Sequence, residues 1–67
     1  MALPEITESL DELLQRLKTE TNPRRKPRIH LLYLIKSGHA KTRKGAAKLL
    51  GIHRTTVGTW LNDYRQG

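Results

Sequence analysis

The side chains best equipped for chemistry in this chain gather near its C-terminus, and they are suited to hydrogen bonding rather than to bond making. His53, Arg54, Thr55, Gly58, Thr59 and Asn62 fall on one face of a helix, with His53 at its entrance. The planar fork of Arg54 matches the O6 and N7 acceptors of guanine, and it serves a phosphate equally well. Thr55 and Thr59 suit a thymine methyl or a phosphate. Gly58, in the middle of that face, either admits close approach of a bound molecule or marks an indifferent position.

A second group is cationic. Thr42, Arg43 and Lys44 sit where a helix should begin, so free backbone N–H groups and the positive end of the helix dipole would favour an anion there. Lys41, Lys48 and Arg65 would extend this phosphate track. Arg24, Arg25 and Lys26, bracketed by Pro23 and Pro27 and followed by Arg28, form a strap fit for a neighbouring phosphate run or a narrow minor groove, or simply for a positive linker.

The charge balance supports this reading. The 67 residues carry 13 Lys and Arg against 6 Asp and Glu, a net charge of +7 that favours a polyanionic partner. Residues 1–22 hold Arg16 and Lys18 against Glu5, Glu8, Asp11, Glu12 and Glu20, whereas from residue 23 onward the only acid is Asp63. Other chemistry is poorly served. There is no cysteine, hence no disulfide, thiolate ligand or thiol nucleophile. His30, His39 and His53 lack the spacing and the carboxylates of a metal site. A domain this small shelters no deep catalytic cleft, and the longest apolar run, Leu31 to Ile35, is far too short to span a membrane. We therefore expect no catalytic residues, metal or cofactor, no membrane partner, and a cytoplasmic, nucleoid-associated protein of bacterial type.

Four helices would position these groups. Ile6, Leu10, Leu13, Leu14 and Leu17 describe an acidic amphipathic helix within residues 1–21, starting either around Pro4 or at Ser9, which with Glu12 forms a capping box. Its stripe should pack on the rest of the domain or pair two copies as a homodimer. Asn22-Pro23 looks like a helix start, but Pro27 interrupts it: either a kinked helix begins at Pro23, or the strap is extended and the helix begins at Pro27. The segment Ile29 to Lys36 is apolar on two sides and needs two packing partners. Gly38 ends it, Thr42 caps a short helix through about Leu50, and Gly51 turns the chain into a last helix from Arg54 to about Tyr64.

Arg43 to Asn62 meets each requirement of a helix-turn-helix. Ala47 is small where two helices must approach, Gly51 tolerates a positive φ in the turn, and Ile52, Val57 and Trp60 close the wedge. The run Leu31 to Gly38, then Lys41-Thr42-Arg43, Ala46 to Val57, Trp60-Leu61 and Tyr64 to Gly67, resembles the N-terminal DNA-binding region of IS630-type transposases, related to the Tc1/mariner group. Including the acidic leading helix, the resemblance spans nearly the whole chain, with Pro27 a departure from it. It implies recognition of transposon terminal inverted repeats, with cutting left to a separate domain bearing an acidic metal-binding triad. These residues do not supply that triad, since Asp63 is the only acid after Glu20.

The expected protein is thus all-α: a homeodomain-like three-helix unit (22–67) that reads double-stranded DNA, preceded by the acidic helix (1–21). A freestanding regulator or antitoxin-like dimer of the same fold, and a basic module for RNA or acidic proteins, are the competing readings.

Overall fold

A computed structural model describes residues 5–66; Pro4 and the helix start read there lie outside them. The described residues form four helices and no strand: α1 (Leu10–Thr19), α2 (Lys26–Ser37), α3 (Arg43–Leu50) and α4 (Arg54–Gln66).

Local chemistry sets the ends. Ser9 is the N-cap of α1, its hydroxyl accepting the Glu12 N–H at 3.1 Å, so the later of the two candidate starts is the real one and residues 5–9 are not helical. Thr42 does the same for α3, accepting from the Gly45 N–H at 2.9 Å. Gly38 (φ 85°) and Gly51 (φ 71°) close α2 and α3 in the left-handed region, where a side chain would be strained.

The strap follows neither expected course in full. Asn22 accepts the Arg24 N–H on its side chain at 2.8 Å and the Arg25 and Lys26 N–H groups on its carbonyl at 3.1 and 3.0 Å. Pro23 to Arg25 are therefore wound as a turn rather than extended, and regular helix begins at Lys26. Pro27 is harmless there, because in the first turn of a helix the missing N–H would have had no obligatory partner.

The core is a wedge of small and aliphatic side chains. Leu31 and Leu34 of α2, Ala40 of the connecting loop, Ala46 and Ala47 of α3 and Val57 and Leu61 of α4 are buried together, with Leu32, Ile35, Leu50, Ile52 and Trp60 packed around them. Each fully buried leucine contributes about 1.5–3 kcal/mol. Ala46 and Ala47 let α3 lie close against its neighbours, and the Ile52 N–H bonds the Ala47 carbonyl at 3.0 Å to tighten the turn.

The second face of α2 is covered by α1, which buries Leu13 completely. Ile6, expected on the helical stripe, instead reaches its buried position from the non-helical segment before α1. Ile6 and Leu13 are thereby withdrawn from any surface that could pair two copies, whereas Leu10 and Leu14 stay 40% and 39% exposed.

Polar contacts hold the leading segment down. Lys36 Nζ donates to the Ile6 carbonyl at 3.1 Å, and Tyr64 Oη, near the end of α4, donates to Glu8 Oε1 at 2.8 Å while accepting from the Thr7 N–H at 3.1 Å. The Thr7 hydroxyl also donates to Glu8 Oε1, at 2.6 Å. The Thr7 hydroxyl above all holds the Glu8 carboxyl below its ordinary value of 4.5, with burial opposing it and Tyr64 and the charge of Arg16 assisting.

Because the folded pKa is depressed, this contribution to stability is present above pH 4.5 and is lost as pH falls through the lower folded value. Glu8→Gln keeps the acceptor and removes the titration. Its urea midpoint should drop less than that of the parent between neutral and acidic pH, and an equal drop in both proteins would contradict the linkage.

Candidate nucleic-acid interface

Gly51 fixes the direction in which α4 leaves α3, and Val57 and Leu61, both buried, fix its rotation about its own axis. The opposite face is left to solvent. Arg54, Thr55, Thr59 and Asn62 are exposed and Gly58 is half-buried. Together with Arg43 and Lys44 from the start of α3, these residues line one open cleft of ≈ 630 Å³. Neither α3 nor α4 has an acid in its first turn, so both helix N-termini near this cleft keep their positive character.

Individual side chains are more constrained than their sequence positions suggest. Arg43 is half-buried, and one of its terminal nitrogens lies 3.8 Å from the point where a Cβ on Gly58 would stand. Its guanidinium thus bridges α3 and α4 across the glycine, with a buried Nε that has no hydrogen-bond partner among the described residues. The Thr59 hydroxyl donates to the Thr55 carbonyl at 3.1 Å, so it presents a methyl and acceptor lone pairs outward. His53 lies just before α4 and caps it: its Nδ1 accepts the Thr55 N–H at 3.1 Å and its carbonyl accepts from Thr56 and Val57. It does not line the cleft, and only its Nε2 edge remains for an outside partner. Arg54 stands apart from these as an exposed fork at the first residue of the helix.

The other residues expected to meet phosphate are dispersed. Lys41, Thr42, Lys48 and Arg65 are exposed but outside the cleft lining. The strap lies elsewhere: Arg25 and Arg28 line a separate groove with Arg16, Thr19, Glu20 and Ile29, between the end of α1 and the start of α2. Arg28 also sits over the Trp60 ring, 5.4 Å from its centroid, a cation–π contact on the side of α4 away from Gly58. Arg24 and Lys26 are exposed and outside the cleft lining, Lys26 lining a different groove with Leu17, Pro23, Pro27, His30 and Leu50. Every cleft-lining residue was picked out by sequence. The bridging of Arg43 was not, although a glycine opposite a long cation is a signal for it.

No group of three or more His, Cys, Asp or Glu among the described residues could hold a metal ion, and no helix there is long and apolar enough to cross a membrane. The sequence model of a homeodomain-like domain family matches residues 22–67. Neither the curated proteins nor the solved structures gave a match to the chain.

Proposed function

The chain belongs to the homeodomain-like domain family, whose helix-turn-helix supports DNA binding, and on that premise we propose that it lays α4 in the major groove of duplex DNA as the terminal-repeat recognition module of a transposase. The observation that carries the DNA reading is the convergence of Arg43, Lys44, Arg54, Thr55, Gly58, Thr59 and Asn62 on one solvent-facing cleft. Arg54 reads a base edge, supported by Thr55, Thr59 and Asn62, with His53 at the helix entrance. Lys44 and Arg43 anchor the phosphates beside it, and Lys41, Thr42, Lys48 and Arg65 extend that track. Arg24, Arg25, Lys26 and Arg28 add general positive potential from the far end of α2.

The terminal-repeat assignment is supported by the resemblance to IS630-type transposases over nearly the whole chain. A freestanding regulator is the second reading, favoured by the exposed leucines of α1, because regulators commonly read palindromes as dimers. Selection of bound duplexes from a random pool separates them: a single asymmetric site fits a repeat-end module, a palindrome fits a regulator.

Duplex binding itself is tested by salt. Each phosphate neutralised contributes about −0.9 to the slope of log affinity against log salt, so the cationic cleft predicts a slope of about −3 or steeper. A flat salt dependence, or tighter binding to single-stranded RNA than to duplex DNA, would overturn the reading.

A further inference from the structure

α1 keeps an apolar edge that the fold covers only in part. Leu13 points inward and is fully buried, whereas Leu10 and Leu14 are large, exposed and one turn apart, and half-buried Leu17 continues their line. Leu17 is also one wall of a groove of ≈ 420 Å³ shared with Pro23, Lys26, Pro27, His30 and Leu50. The apolar strip therefore runs along α1 and ends in a recess.

We infer that this strip binds a second copy of the same chain, with the two α1 helices antiparallel about a twofold axis near Leu14. Charge selects both the occupant and the direction. The spacing Leu10, Leu14, Leu17 is that of a two-turn coiled-coil seam, and the exposed residues one place after Leu10 and Leu17 are Asp11 and Lys18. In an antiparallel pair these flanking positions meet, so Asp11 of each copy faces Lys18 of the other and two ion pairs form by symmetry. In a parallel pair Lys18 would face the position of Leu13, which is already buried in its own chain. The antiparallel pair also brings Leu10 of the second copy over Leu17, at the mouth of the recess. A seam of two helical turns falls short of the roughly 1,000 Å² expected of a tight specific interface, so the association is weak in free solution and strengthens where two copies are held close together. The inference uses none of the cleft residues and stands or falls independently of the DNA reading.

Sedimentation equilibrium on the full chain tests it. Between about 20 µM and about 1 mM, a range matched to a weak interface, the apparent mass should rise from 7.7 kDa toward twice that value. Asp11→Lys and Lys18→Asp each turn two attractions into repulsions and should weaken self-association roughly fivefold or more. The two single variants mixed together should associate, because every facing pair is then opposite in sign, and the double variant should recover the parental behaviour. All these positions are exposed, so circular dichroism melts should show each variant folded. A chain that stays monomeric at the highest concentration, or single variants that neither weaken alone nor rescue each other, would overturn the proposal.

Discussion

Arg54→Ala should cost a selected duplex site about tenfold to a hundredfold in affinity while leaving binding to unrelated duplex far less affected, since one bidentate contact to a base edge carries about 1–3 kcal/mol of discrimination. The structure singles this residue out among the cleft cations. Arg43 is half-buried with its guanidinium against Gly58, and Lys44 is a point charge suited to phosphate, whereas Arg54 is exposed and begins the helix whose face is free. Removing an exposed side chain leaves the core of Val57 and Leu61 untouched, so the loss can be assigned to contact rather than to unfolding. Lys44→Ala is the matching control. It should weaken selected and unrelated duplexes alike and make the salt slope shallower by about one. Equal losses on both duplexes for Arg54→Ala would move Arg54 to the phosphate contacts and transfer base reading to Thr55, Thr59 and Asn62.

The elements that position this site were readable because their determinants are local. Ser9 and Thr42 cap the helices that follow them, and Gly38 and Gly51 stand where the chain needs a positive φ. The small residue Ala47 announces a close helix approach. What escaped is what depends on distant partners. Ile6 is periodic with Leu10 and Leu13, yet it is buried from outside the helix, through a segment held by Lys36 of α2 and by Tyr64 from the other end of the sequence. The strap offered two conformations on the strength of its prolines, and the Asn22 carbonyl and side chain decided for a wound turn. Arg28 read as one cation among several because nothing in its neighbourhood reveals that Trp60 lies beneath it. Within the cleft, residue types were legible from helical spacing, but the ordering of their roles was not. That His53 caps α4 and that Arg43 spans to Gly58 are facts of side-chain geometry.

Gly58→Ala should act with opposite signs on folding and on binding. A Cβ at this position meets only a terminal nitrogen of Arg43 at 3.8 Å, ordinary van der Waals contact, so the free protein has room for it. Gly58 lies inside α4, where alanine is favoured over glycine by about 0.8–1.0 kcal/mol, which in a domain of this size raises the melting temperature by roughly 4–8 °C. The same methyl projects into the cleft between Arg43 and the Arg54–Asn62 face, the space a groove edge must enter. Overpacking a fitted surface costs typically about 1–3 kcal/mol, so duplex affinity should fall about fivefold or more even as the fold becomes more stable. The divergence is the informative part, because a variant that merely disturbed the helix would lose both together. A more stable Gly58→Ala protein that binds duplex as tightly as its parent would show that DNA does not approach this part of α4, and the docking face would have to lie nearer the first turn of the helix.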